Sequence, residues 1–387
     1  MEEIKDYNMN ATSPSKIKVF GVGGGGSNAV ARMYQEGMKD VELYIVNTDL
    51  QHLNMLPVPN KIHIGETVTK GLGAGSKPEI GEEAAKENLD KIKEAMEGAD
   101  MIFIAAGLGG GTGTGAAPVI AQAAKEMGIL TVAVVSIPFD FEGPKRKEIA
   151  LKGLERLKDV VDTYLVINNQ KLAIIAGKRF TFTEAFKLVD DILYKAVRGI
   201  TDIIYKPGII NVDFADVKTI MEEGGKALIG VGSGKGETKI EDAVHYATNS
   251  PLLEGISIKG AKKLLINVEI SPDLAYADVE EAIAQIKESA HEDAHIIFGA
   301  SVDPSMEDEM RITVVATALE KDENEKPVCK PEEPRKLKRK PIKLRDEEPI
   351  VEERETRKRH IDEMIYDELE IPTYLRKKKR RDEDSDI

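Results

Sequence analysis

Tryptophan is absent from the 387-residue chain, and Phe, Trp and Tyr together make up only 5% of it. With 41% hydrophobic residues, the cores must therefore be aliphatic. A single cysteine, Cys329, excludes an intramolecular disulfide, and a lone thiol suits a reducing compartment. No N-terminal stretch has the charged, apolar and small-residue order of a signal peptide, and no apolar run approaches the ~18 residues of a membrane span. A soluble, cytoplasmic protein is expected. The motif G-x-x-x-x-G-K-[ST] is also missing, which excludes a P-loop nucleotide hydrolase by motif.

Positive charge is in short supply. Lys and Arg number 54 against 68 Asp and Glu, a net charge of −14. Residues 320–387 are nearly balanced, with 20 basic and 21 acidic residues, so residues 1–319 carry 34 against 47. An acidic folded part argues against nucleic acid as a partner. Any anionic ligand must be held by local backbone geometry, and a metal cation would help.

Glycine, by contrast, is concentrated. Gly107-Leu-Gly-Gly-Gly-Thr-Gly-Thr-Gly115 follows the apolar run Met101–Ala106, which reads as a buried strand, and precedes Ala116–Met127, which reads as a helix. Strand, glycine turn and helix N-terminus together make an anion site, because backbone N–H groups converge and the helix dipole adds positive potential. The expected ligand is a phosphate chain. A second cluster, Gly21-Val-Gly-Gly-Gly-Gly26-Ser-Asn-Ala29, follows the strand Ile17–Phe20 and opens another helix. Gly21, Gly23 and Gly26 fit G-x-G-x-x-G, which leaves a dinucleotide-binding oxidoreductase using NAD as an alternative reading. Ser27 and Asn28 either cap that helix or touch the ligand. A third cluster is Gly71-Leu-Gly-Ala-Gly75.

Residues 1–15 are polar and expected to be disordered. From Lys16 onward strands and helices alternate. Glu42–Val46 is a strand ending in Asn47-Thr-Asp49, where Asp49 is a site residue or a turn cap. Lys61–Ile64 is a short strand, and Pro78–Glu97 a helix. Leu130–Val135 is a buried strand followed by Pro138-Phe-Asp-Phe-Glu-Gly-Pro144, and the helix after Lys145-Arg146 runs to about Val160. Thr163–Ile167 is a strand ending in Asn168-Asn169. This alternation predicts a doubly wound parallel sheet over residues 16–180, with three glycine loops on one rim. Residues 181–206 form one long helix, opened by the capping box Thr181-x-x-Glu184 and closed by Lys206-Pro-Gly208.

A second α/β domain with a mostly mixed, half-exposed sheet is expected over 208–319, joined to the first by the helix 181–207. Its strands are Ile209–Phe214, Lys226–Val231, Lys262–Ile270, His295–Ser301 and Arg311–Ala318. Asp216–Glu223, Lys239–Thr248 and Ala277–Ala290 are its helices, and Gly230–Gly236 reads as a hairpin-type turn. Residues 320–360 have the composition of a disordered linker. In 361–387, Ile361, Ile365 and Leu369 share a helical face, Ile371–Arg376 follows, and Lys377–Arg381 is basic. That order reads as a partner-docking peptide with a basic tail able to touch anionic lipid.

His291-Glu-Asp-Ala-His295 matches the zinc signature H-E-x-x-H, but His295 opens a strand-like run, so the motif reads as a surface turn with no metal. Asp213 and Asp216, in Asn211-Val-Asp-Phe-Ala-Asp216, either cap a helix or position water and a metal for phosphoryl hydrolysis.

Together Gly21–Ala29, Asn47–Asp49, Gly71–Gly75, Gly107–Gly115, Pro138–Gly143 and Asn211–Asp216 resemble the tubulin/FtsZ family of cell-division GTPases over about residues 16–319. The sequence Gly109–Gly115 is that superfamily's signature, and Glu370–Arg376 resembles the family's C-terminal peptide. The resemblance implies a tubulin-like fold, GTP and GDP with Mg2+, and head-to-tail protofilaments in a mid-cell division ring. It implies that Gly24, Gly25, Gly26, Ser27 and Asn28, with Gly110, Gly111, Thr112, Gly113 and Thr114 of the loop Gly109–Gly115, hold the phosphates, and that Asp49 and Gly75 are further nucleotide-binding residues. Glu142 and Arg146 would contact ribose and phosphates, with Asn169 a further nucleotide position. Asn28, Phe186 and Asp191 would frame guanine, with Asp191 accepting from its N1–H and amino group. Asp190 stands beside Asp191 where many members have Asn. Asn211, Asp213 and Asp216 would form the loop that enters the next subunit's nucleotide site to drive hydrolysis. The tail would recruit membrane-anchor and regulatory proteins, touching membrane only indirectly or through its basic residues.

Overall fold

The computed structural model describes residues 15–176, 181–206, 208–249, 258 and 260–319. All of these fall in one compact unit, Met1–Asp322. Along the chain run β1 (Ile17–Val22), α1 (Gly23–Gln35), β2 (Glu42–Asn47), α2 (Leu50–Met55), β3 (Asn60–His63), α3 (Glu66–Thr69), α4 (Pro78–Glu87), α5 (Leu89–Met96) and β4 (Met101–Gly107). Then come α6 (Thr112–Glu126), β5 (Leu130–Ile137), α7 (Pro144–Lys158), β6 (Thr163–Asn168), α8 (Asn169–Ala176) and α9 (Phe182–Tyr205). The remainder is α10 (Phe214–Met221), β7 (Gly225–Lys235), α11 (Lys239–Thr248), β8 (Ala261–Ile270), α12 (Tyr276–Glu288), β9 (His295–Val302) and β10 (Glu309–Leu319).

The ten strands form one sheet in the order β3-β2-β1-β4-β5-β6-β7-β10-β8-β9. From β3 to β6 every pairing is parallel, as the βα alternation predicts. Strand β4 shows why these runs are apolar throughout. Met101, Phe103 and Ala105 enter one core while Ile102, Ile104 and Ala106 enter another, because alternate side chains face opposite, helix-covered sides. β7 joins the two halves: Gly225–Ala227 pairs parallel with β6, and Leu228–Lys235 then pairs antiparallel with β10. Helix α9 packs into the core shared by both halves, with Val197 and Ile200 beside Ile229, Leu265 and Val315. It starts where its capping box predicts. Thr181 Oγ1 accepts from the Glu184 N–H at 3.3 Å, and a Glu184 carboxylate oxygen accepts from the Thr181 N–H at 2.8 Å.

Three expectations are corrected. The helix over 78–97 is broken at Asn88, whose side-chain oxygen accepts from the Gly65 N–H at 2.7 Å. Ile209–Phe214 forms no strand beyond a single bridge between Ile210 and Ala300; Ile209 is 72% exposed, and the Asp213 cap starts α10 at Phe214. Gly230–Gly236 is not a hairpin, since Gly230, Gly232 and Gly234 lie within β7. They face α11 so closely that any Cβ there would collide with the carbonyl oxygens of Ala247, Ala243 and Lys239. The glycines serve close helix-on-strand packing. The segments 1–14 and 320–387, including the docking peptide, lie outside the described residues.

Candidate nucleotide site

Strand order reverses between β1 and β4. From β1 the chain builds outward through β2 and β3, and from β4 it builds the other way through β5 and β6. The crevice beyond the carboxyl ends of such a pair is the natural ligand position in an open α/β sheet. Both strands feed a helix there, α1 directly after Val22 and α6 after the turn Leu108–Gly111. Neither helix has a side-chain cap or an acidic residue in its first turn. By contrast α9 and α10 both open with complete capping boxes. Where α1 and α6 face the crevice, their first-turn N–H groups have no side-chain partner, and with the helix dipoles they make an anion site.

Glycine is required because these pieces nearly touch. A Cβ on Gly23 would lie 2.7 Å from the Gly113 nitrogen, and one on Gly111 2.8 Å from Ala74 Cβ. The third glycine loop closes over the crevice, fastened to the end of β2 by Leu50 N–H to Gly71 O at 3.2 Å and Gly73 N–H to Thr48 O at 3.3 Å. The threonines shape the floor. Thr48 and Thr112 hydroxyls meet at 2.7 Å, and Thr114 Oγ1 accepts from the Gly109 N–H at 2.8 Å.

Between these elements opens a cavity of about 510 Å³. The far wall is α9, contributing Phe186, Val189, Asp190 and Leu193. Phe186 is braced edge-on by Phe139 at 5.2 Å. Arg146 pairs with Glu142 at 2.9 Å, and Glu142 also accepts from the Phe139 N–H at 2.9 Å, so its carboxylate is held by its own turn. Asn169 is 5% exposed, lines the cavity, and its side-chain oxygen has no partner within the protein. A buried orphan acceptor of this kind is what a ligand donor would satisfy. Burial pushes the Asp190 carboxyl up to about 7, with the neighbouring Asp191 charge adding and Arg32 opposing.

Of the predicted ligand-holding residues, Gly24, Gly25, Asn28, Asp49, Gly75, Gly110, Gly111, Thr112, Gly113, Glu142, Arg146, Asn169, Phe186 and Asp190 line this cavity. Gly26 and Ser27 do not. They are buried under the cavity, with Ser27 Oγ donating to Gly21 O at 3.4 Å and Gly26 pressed on the Ala105 carbonyl. Thr114 shapes the turn beneath. Asp191 does not line the cavity: its carboxylate turns to α1 and pairs with Arg32 Nε at 2.8 Å, leaving Asp190 in the wall. Consecutive helical residues point ~100° apart, so only one of the two can face the ligand. Asp49 caps α2, accepting from the His52 N–H at 3.0 Å, while also lining the cavity.

The residues Asn211, Asp213 and Asp216 are absent from this lining. Asn211 Oδ1 accepts from the Gly208 N–H at 2.7 Å. Asp213 and Asp216 form a reciprocal box, Asp216 N–H to Asp213 Oδ1 at 2.9 Å and Asp213 N–H to Asp216 Oδ2 at 3.2 Å. Asn47, Thr48, His52 and Ser136 line the cavity and were missed as ligand-side residues. The signal for the first two was their place at the end of β2; His52 and Ser136 carry no motif. His295 opens β9 and α12 ends at Glu288, so the two histidines of H-E-x-x-H do not share a helical face, and among the described residues no cluster of His, Cys, Asp or Glu suits a metal.

Residues 16–177 match the Tubulin/FtsZ family GTPase domain, and residues 225–320 match the FtsZ family C-terminal domain. The chain is 53% identical over 375 residues to the cell division protein FtsZ of Aquifex aeolicus, covering 95% of this chain and 98% of that protein. It is 48% identical over 320 residues to cell division protein FtsZ 1 of Archaeoglobus fulgidus, covering 82% and 86%. Its fold is similar to the structure described as an empty FtsZ dimer from M. jannaschii, with a TM-score of 0.74 and 45% identity over 79% of this chain and 89% of that one. Nothing in these comparisons supports the NAD-dependent alternative.

Proposed function

Since the chain belongs to the FtsZ family of tubulin-like GTPases, we propose that its cavity holds GTP and that a second copy of the chain, stacked head to tail, completes the hydrolytic site. It is a self-assembling GTPase of cell division that acts at the division site.

The single observation that carries the shared-site reading is the course of α9. Its first half walls the cavity at the carboxyl end of the parallel strands. At its other end, the Tyr205 hydroxyl donates to Ser15 O at 2.7 Å and accepts from the Ile17 N–H at 3.3 Å, at the amino end of β1. A helix of 24 residues is about 36 Å long. Asp213 and Asp216 follow that far end. One molecule thus carries a nucleotide cavity on one rim and a pair of carboxylates at the other, and stacking brings them together. This is a heterologous interface, which propagates into a filament.

The residues then divide the work. Uncapped N–H groups of α1 and α6 hold the phosphates, with Arg146 and Glu142 beside them. Phe186 and Asp190 face the guanine, and Asp190 takes the acceptor role first expected of Asp191. Mg2+, bound together with the nucleotide, would neutralise charge on the phosphate chain. Asp213 and Asp216 of the next copy orient the attacking water. Segment 361–387 recruits division-site proteins. The chain then falls into a nucleotide-binding part over 16–180, the bridging helix, and an activating part over 208–319.

GTP turnover per molecule, measured against protein concentration, tests the shared site. A threshold followed by a steep rise is expected. A specific rate independent of concentration would overturn it.

A further inference from the structure

We propose that His52 is a positioning residue of the nucleotide cavity: it fixes the side-chain amide of Asn28 so that its NH2 group faces the bound nucleoside. The inference rests on the nucleotide reading of the cavity and concerns how that cavity is wired.

The argument is one of donors and acceptors. Asn47 Oδ1 accepts from two backbone N–H groups, those of Thr48 at 2.9 Å and Asp49 at 3.3 Å. Both are obligate donors, so the orientation of the Asn47 amide is set and its NH2 points the other way. That nitrogen lies 3.2 Å from His52 Nδ1. An amide nitrogen can only donate, so Nδ1 must offer its lone pair, and the neutral ring carries its proton on Nε2. Nε2 lies 3.0 Å from Asn28 Oδ1 and donates to it. The residue is itself seated through its backbone N–H, which donates to Asp49 Oδ1 at 3.0 Å.

The chain of assignments ends at Asn28. Its oxygen is turned toward His52, so the group turned the other way is the NH2 donor. Asn28 lines the cavity and is exposed to it. The relay therefore turns an ambivalent amide into a fixed donor aimed at an acceptor of the nucleoside. Fixing it in advance removes the ordering cost and excludes the flipped amide that would present oxygen instead.

The experiment is a double-mutant cycle read by calorimetric GDP binding to the full-length chain. GDP is the probe because it is bound without turnover. His52→Phe keeps the ring and removes both nitrogens; it is expected to weaken GDP about five- to tenfold, the worth of one oriented hydrogen bond. Asn28→Ala should weaken binding similarly, and the double variant should be no weaker than Asn28→Ala alone. His52→Gln, which can donate to Asn28, should recover most of the loss. At saturating GTP, kcat should change by less than about twofold in His52→Phe, the loss appearing in KM. Nitrogen-15 spectra of histidine-labelled protein should show His52 as the Nε2–H tautomer. Additive losses in the cycle, undiminished binding in His52→Phe, or an Nδ1–H tautomer would each overturn the inference. Failure of the unaltered chain to bind GDP would instead remove the nucleotide reading, and the inference with it.

Discussion

Asp190 and Asp191 are adjacent in α9 yet serve different partners: Asp190 lines the nucleotide cavity, and Asp191 is paired with Arg32 of α1 at 2.8 Å. The pairing ties α9 to the helix that bears the cavity-lining Gly24 and Gly25. It also leaves Asp191's charge beside Asp190.

A pH dependence follows. With its pKa raised to about 7, mainly by burial, Asp190 of the empty cavity keeps its proton below that pH. Guanine offers N–H donors, which need the ionised carboxylate. Binding must then expel a proton, so GTP affinity should fall about tenfold per pH unit below about 7 and level off above it. The phosphates titrate nearby, so the measurement is the difference between the unaltered chain and Asp190→Asn, which keeps an acceptor without titrating. Calorimetry at pH 6 in buffers of different ionisation heat should show about one more proton released by the unaltered chain. Equal proton release by the two would defeat this assignment.

The Asp213–Asp216 box makes two readings of these carboxylates compatible, and they can be separated. Asp213 caps α10 through Oδ1. Alanine there loses the cap, about 1 kcal/mol of stability, as well as the charge. Asparagine is an equally good cap. Asp213→Asn should therefore keep its melting temperature and its GTP affinity while losing about 100-fold in turnover. A variant that melts normally and hydrolyses normally would confine Asp213 to capping.

What the sequence made legible was local chemistry. The Thr181–Glu184 box, the glycine clusters after strands and the parallel alternation each depend on residues close together in the chain, and each appears where expected. What it hid depends on distant neighbours. Gly230, Gly232 and Gly234 look like a turn until α11 is laid across them. Asn88 breaks a helix to serve Gly65, 23 residues away. His52 has no motif at all, and its role arises from Asn28 and Asn47 on two other elements. Likewise, only the rotation of α9 on the sheet decides between Asp190 and Asp191.

The β7 glycines give a stability prediction. Gly232→Ala places a methyl group against the Ala243 carbonyl oxygen, and neither backbone can yield without disturbing α11 or the pairing with β10. A cost of ~1–3 kcal/mol or more is expected, seen as a melting temperature lower by several degrees. Gly230→Ala, facing the Ala247 carbonyl, should behave alike. Unchanged melting in both would mean that α11 does not press on this strand.

Complementation separates a shared site from a self-contained one. Asp216→Ala leaves the cavity intact and removes one carboxylate of the far rim. At Gly110 a Cβ meets nothing within 4 Å, and the residue lines the cavity, so Gly110→Glu projects into open space and sets a negative charge in the phosphates' place. Each variant alone should be nearly silent in GTP turnover. In an equal mixture, a Gly110→Glu molecule can still present its intact Asp213 and Asp216 to the GTP-filled cavity of an Asp216→Ala molecule. With random head-to-tail pairing, about a quarter of the junctions join two intact halves, so up to that share of normal turnover should return. A site complete within one chain predicts no recovery at any ratio. Silence in a mixture whose components demonstrably cosediment would therefore place the water-orienting groups within the nucleotide's own subunit, and α9 would lose its role as the spacer between two halves of one site.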